Sequence, residues 1–161
     1  MLRDVVEYAS ASGTPVAILF LDQEKVFDRV DWGFMRSTLS SMEFGPSFIS
    51  WVDLSYSRVQ SAVNVNGYLS SFFSVSRGVA QGCPLSPLLY VLVSEVLAVN
   101  ICCNPHISGL CLPGSTPLFP ISQYADDTSP ILLSDGAIMA LFEVYSLFEK
   151  ASGSKLNQSK S

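Results

Sequence analysis

Pro120-Ile121-Ser122-Gln123-Tyr124-Ala125-Asp126-Asp127-Thr128-Ser129-Pro130-Ile131-Leu132-Leu133 reads as two short strands joined by a turn, with two aspartates at its tip. The spacing predicts strands over residues 121–124 and 128–133. Asp is common in turns, so one Asp-Asp pair could be turn chemistry alone. A second segment adds a third carboxylate. Val16-Ala17-Ile18-Leu19-Phe20-Leu21 is an apolar run bounded by turn signals, and Asp22 ends it. That pattern predicts a buried strand over residues 16–21. Two strands far apart in sequence thus deliver acids at their ends, and only a fold can bring them together. Adjacent carboxylates repel unless something positive lies between them. A hard divalent cation answers that need, because Mg²⁺ takes oxygen ligands from one or two carboxylates plus substrate phosphates.

Outward from these strands the chain mixes helices with hairpins. Helices are expected over residues 2–11, 32–42, 47–56, 84–103 and 136–152. Asp31, Ser47 and Asp135 are the expected caps, and Pro84 suits a first helical turn. Residues 61–66 and 68–75 alternate apolar with polar around Asn66-Gly67, a strong hairpin signal. Residues 77–82 form a Gly-flanked loop, 104–120 a Pro- and Gly-rich one, and 153–161 a polar tail. The fold class that follows is α+β, one antiparallel sheet backed by helices.

The 161 residues are one domain's worth of chain. They are 48% hydrophobic and 14% charged, which fits a globular chain whose surfaces expect covering. The net charge of −5 is not a basic nucleic-acid footprint. Any phosphate-binding charge must lie elsewhere. Cys83, Cys102, Cys103 and Cys111 lack CxxC spacing, and His106 is the single histidine. A zinc site is therefore not expected, and the cysteines read as reduced thiols of an intracellular protein. Residues 84–103 have the length of a membrane span, but Glu95 in their middle argues against one.

Four segments occur in a telling order. They are Phe20-Leu21-Asp22-Gln23-Glu24-Lys25-Val26-Phe27-Asp28-Arg29-Val30-Asp31-Trp32, Arg77-Gly78-Val79-Ala80-Gln81-Gly82-Cys83-Pro84-Leu85-Ser86-Pro87, Tyr124-Ala125-Asp126-Asp127, and Ser152-Gly153-Ser154-Lys155-Leu156-Asn157-Gln158-Ser159-Lys160. Together they resemble the reverse transcriptases of non-LTR (LINE-type) retrotransposons, and more broadly those of group II introns. The resemblance covers almost the whole chain. It implies a single reverse transcriptase domain over residues 1–161: a polymerase palm with a ferredoxin-like (RRM-like) sheet and partial fingers. The remaining fingers, the thumb and the endonuclease of such proteins are not in these residues. One departure is Ala80, where many relatives carry an arginine before the Gln, which implies a lost template or triphosphate contact.

The resemblance also implies a chemistry. Asp22, Asp126 and Asp127 would hold two Mg²⁺ ions, with Mn²⁺ as a substitute. A primer 3′-hydroxyl would attack the α-phosphate of a deoxynucleoside triphosphate on an RNA template. Phe27 would close the sugar pocket against a 2′-hydroxyl, and Gln81 and Gly82 would lie beneath the nucleotide. Arg77 would reach template or phosphate, and Lys160 would protonate the leaving pyrophosphate. Lys25, Asp28, Arg29 and Asp31 read as local ion pairing. By the same resemblance the protein would work in cytoplasm and nucleus, without a membrane. Two alternatives stay open: an RNA-directed RNA polymerase palm, and a non-catalytic remnant. The isolated chain is expected to be inactive.

Overall fold

A computed structural model describes residues 2–110 and 120–161. Its organising element is a three-stranded antiparallel sheet: β1 (Ala17–Ile18), β6 (Ile121–Tyr124) and β7 (Asp127–Leu132), in the order β1-β7-β6. The register sets Ala17 opposite Leu132 and Ile18 opposite Ile131. Tyr124 faces Asp127 across the hairpin turn. Pairing continues past β1, since the Leu21 N–H donates to the Thr128 carbonyl at 2.9 Å. The 16–21 run was expected to be a buried strand. It is instead an edge strand, half-buried with Phe20 66% exposed. The reason is the strand order, because β7 takes the central place and β1 keeps only one neighbour in the sheet.

α1 (Leu2–Ser12) precedes the sheet, and between β1 and β6 the chain builds α2 (Val26–Arg29), α3 (Trp32–Ser41), α4 (Pro46–Tyr56) and α5 (Ser86–Cys102). Two hairpin pairs lie among them: β2 (Gln60–Ser61) with β5 (Phe73–Ser74), and β3 (Asn64–Val65) with β4 (Tyr68–Leu69). Asn66 and Gly67 both adopt positive φ at the inner turn, as a tight hairpin requires. These strands are exposed and present Val65, Tyr68, Leu69 and Phe73 to solvent. The last helix, α6 (Asp135–Ser152), follows β7.

The main core is built on α5. Leu89, Val93, Leu97 and Ile101 recur every fourth position and are fully buried against α3, α6 and the sheet. That spacing lines one helix face. Burying a side chain of this type contributes about 1.5–3 kcal/mol. A smaller core joins Val5 of α1 to Ile131 and Leu110. No helix among the described residues is long and apolar enough to cross a membrane.

Capping follows the expectation at Asp31, whose carboxylate accepts from the Phe34 N–H at 2.8 Å. At α5, Pro84 was expected in the first turn but lies before the helix, which starts at Ser86 with Leu85 as its cap and Pro87 in the first turn, where a missing N–H costs nothing. Two further helices also differ. Ser134, not Asp135, caps α6 by accepting from the Ala137 N–H. Gly45, not Ser47, begins α4, because Pro46 takes the first helical position, where its missing N–H costs nothing. Cys83, Cys102 and Cys103 are free thiols. The readings of Cys111 and of most of the 104–120 loop fall on residues 111–119, outside the described ones.

Candidate active site

Asp22 follows Leu21, the last residue of the chain that pairs with β7. Asp127 is the first residue of β7, and Leu21 stands opposite Thr128. The antiparallel register therefore sets Asp22 beside Asp127. Both line one cleft of about 510 Å³, together with Phe20, Leu21, Thr128, Ser129 and Lys160. The polar tail delivers Lys160. After α6 the chain turns through Gly153 (φ +76°) and runs back along residues 22–24. Leu156 bridges to Gln23, and the Glu24 N–H donates to the Lys155 carbonyl at 2.8 Å. The sequence marks no element in the tail, yet it docks here through an isolated antiparallel bridge and backbone hydrogen bonds.

Asp126 lies in the two-residue turn between β6 and β7, after Ala125 in the left-handed region at φ +53°. A non-glycine residue there is strained, and such strain collects at functional sites. Its charge is felt by Tyr90 of α5. Burial first, then the Asp126 carboxylate, pushes the Tyr90 hydroxyl above its ordinary pKa. That hydroxyl is buried without a hydrogen-bond partner. Among the described residues, no three His, Cys, Asp or Glu side chains are close enough to hold a metal ion between them. The donor chemistry of the cleft nevertheless suits a hard divalent cation. Two carboxylates on one wall are what Mg²⁺ commonly takes from protein, with phosphate and water filling its remaining positions.

Phe27 sits on α2, half-buried, with its ring 5.5 Å from that of Tyr90 at a 45° tilt. The tyrosine ring thus packs against the phenylalanine. The Phe27 carbonyl accepts from the Val79 N–H at 2.6 Å, and the Gly78 N–H donates to the Val30 carbonyl at 2.7 Å. The Trp32 indole donates to the Gly78 carbonyl at 2.7 Å. So the 77–82 loop is fastened to the turn that carries Phe27. Arg77 and Gln81 are exposed on a second cleft of about 520 Å³, which Asp28, Trp32 and Ala80 share. This cleft does not include Asp22, Asp126 or Asp127. Gly82 is exposed at φ +85° with open space around it. Of the four charges expected to pair locally, Arg29 bonds Glu24 at 2.8 Å, while Asp31 is spent on the α3 cap.

Sequence reasoning missed Asn157. Its side-chain amide donates to Asp22 Oδ2 at 2.8 Å, and its backbone N–H donates to the Asp22 carbonyl at 2.8 Å. It also missed Tyr90, which reads in the sequence only as one more apolar residue of a long helix. The resemblance was the sole signal for either, since both stand inside or beside the segments that carry it.

Known proteins match this arrangement. The family profile described as reverse transcriptase (RNA-dependent DNA polymerase) matches residues 2–161. The transposon TX1 uncharacterized 149 kDa protein of Xenopus laevis is 34% identical over 161 residues, covering 100% of this chain and 12% of that protein. The Retrovirus-related Pol polyprotein from type-2 retrotransposable element R2DM of Drosophila melanogaster is 35% identical over 77 residues, covering 48% of this chain and 7% of that protein. The chain thus spans a small part of the curated relatives it matches. Among solved structures, telomerase from Candida tropicalis in complex with a TWJ fragment of telomeric RNA superposes with a TM-score of 0.71. That match covers 99% of this chain and 27% of the telomerase at 13% identity, and so bears on the fold alone. A profile match along the chain, with the palm fold and the paired carboxylates, makes this chain a member of the reverse transcriptase (RNA-dependent DNA polymerase) family.

Proposed function

We propose that this chain is the palm of an RNA-directed DNA polymerase of a LINE-type retrotransposon, transferring deoxynucleotides to a primer 3′-hydroxyl with Mg²⁺. The observation that carries the reading is the register that sets Asp22 beside Asp127 in one cleft with Lys160. Family membership supports the reaction class and the use of divalent metal ions. The family description, RNA-dependent DNA polymerase, supports an RNA template.

Asp22 and Asp127 would hold the cation from the cleft wall, and Asp126 would join them from the adjoining turn. When bound, such ions would supply charge stabilisation for the attacking and leaving oxygens of the displacement. The protein's own residues do the rest. Lys160 brings an ammonium to the same cleft, where it offsets charge on the departing pyrophosphate and can give it a proton. The Phe27 ring, backed by Tyr90, forms an apolar wall that offers a 2′-hydroxyl neither space nor a hydrogen-bond partner. That wall favours DNA over RNA synthesis. Arg77 and Gln81 present a cation and an amide on the neighbouring cleft, suited to template or phosphate.

The test is primer extension on an RNA template by a complete LINE-type polymerase carrying residues 1–161 as its palm. Extension with Mg²⁺ and deoxynucleotides is expected, lost in Asp126→Ala and in Asp22→Ala. Extension that survives either substitution would overturn the assignment.

A further inference from the structure

The geometry points to Asn157 as a positioning residue that orients the Asp22 carboxylate for a divalent cation, an inference that rests on reading Asp22 as a metal ligand. Four contacts define the latch. The Asn157 amide donates to Asp22 Oδ2 at 2.8 Å. Its backbone N–H donates to the Asp22 carbonyl at 2.8 Å. The Asp22 N–H donates to the Ser161 hydroxyl at 3.1 Å. Ser159 donates its hydroxyl to Asn157 Oδ1 at 2.8 Å.

The amide's orientation follows from its partners. An ionised carboxylate only accepts, so the NH₂ group must face Asp22, and the serine hydroxyl then donates to the opposite oxygen. Backbone bonds fix where Asp22 starts, and the amide fixes where its carboxylate points. One oxygen is held, and no other side-chain hydrogen bond among the described residues reaches that carboxylate. Among the described residues the second oxygen therefore meets no protein donor, on a cleft that Asp127 also lines. Partners that orient a ligating carboxylate in this way typically govern metal affinity by about 10–100-fold.

The experiment uses the 161-residue chain and Mn²⁺ as the probe. Asn157→Leu, close in shape, and Asn157→Ala should both weaken Mn²⁺ binding at least about tenfold by electron paramagnetic resonance titration. A melting curve for each variant reports whether it folds. In parallel, the Asn157 side-chain amide signals in a ¹⁵N correlation spectrum should move in Asp22→Ser. Native-like Mn²⁺ affinity in both Asn157 variants would overturn the proposal. So would amide signals indifferent to Asp22→Ser. If those signals respond but the native chain binds no Mn²⁺, the hydrogen bond stands and the reading of Asp22 as a ligand falls.

Discussion

Gly78→Ala should destabilise this protein more than any other glycine substitution in the 77–82 loop. A Cβ at position 78 would lie 3.0 Å from the carbonyl oxygens of both Phe27 and Asp28, and 3.1 Å from the Asp28 Cα. All three are backbone atoms and cannot swing aside. The residue also sits at φ +89°, where a left-handed alanine costs about 1–2 kcal/mol. Relieving the clash must stretch the bonds that fasten the loop: Gly78 N–H to Val30, Val79 N–H to Phe27, and Trp32 to the Gly78 carbonyl. Each contributes about 0.5–1.5 kcal/mol. Losing one or two of them brings the expected cost to about 1.5–5 kcal/mol, or a fall of about 3–20 °C in Tm for a domain of this size.

Gly82→Ala is the internal control. Its φ of +85° carries the same conformational penalty, but nothing lies within 4 Å of the added Cβ. It should cost only about 1–2 kcal/mol. The assay is urea and thermal unfolding of both variants and the native chain, followed by circular dichroism. The difference between the two variants isolates the clash from the backbone strain. Equal losses would refute the claim that the loop is locked against the Phe27 turn.

Phe27→Val, in a complete polymerase carrying this palm, should relax discrimination against ribonucleotides by about tenfold or more, since it removes the wall that rejects the 2′-hydroxyl; unchanged relative incorporation in primer extension would remove Phe27 from that role. Lys160→Gln should slow the chemical step about 100-fold in single-turnover extension, the lower range for a lost general acid, and native single-turnover rates would leave the lysine without that function. Burial pushes the Tyr145 hydroxyl up to about 12, so the unfolded chain ionises near the ordinary value of about 10 before the folded one does. Stability should then be full below pH 10 and fall by about 2–3 kcal/mol between pH 10 and 12. Tyr145→Phe should lessen that fall without abolishing it, because Tyr90 shifts the same way; an identical alkaline loss in the variant would contradict the assignment.

Much of this fold was legible because its elements carry local signals. The Asn66-Gly67 turn, the Asp31 cap and the hairpin around Ala125 each depend on residues near one another in sequence. The resemblance motifs added the identities of the carboxylates. What was misread depended on neighbours the sequence does not name. Val16 to Leu21 has the composition of a buried strand, yet burial is decided by strand order, and that order puts β7 in the middle. Ser134 and Asp135 are both good caps. The choice between them lies in where β7 ends, which periodicity does not resolve to one residue.

The tail was hardest to read, and the reason bears on the site. Residues 153–161 show neither an apolar stripe nor an alternation, so nothing marks them as an element. Their pairing is with residues 22–24, across almost the whole chain. Asp22 consequently stands at a change of partners. Just before it, Leu21 pairs with Thr128 of the sheet; just after it, Gln23 pairs with Leu156 of the tail. An edge strand alone would leave this residue tethered on one side. The second pairing holds it from the other, and the Asn157 amide then settles its side chain. A reaction that depends on placing oxygens within about 0.5 Å tolerates little play in such a ligand. The polar tail, the least informative stretch by composition, is thus the one that makes the best-placed aspartate rigid.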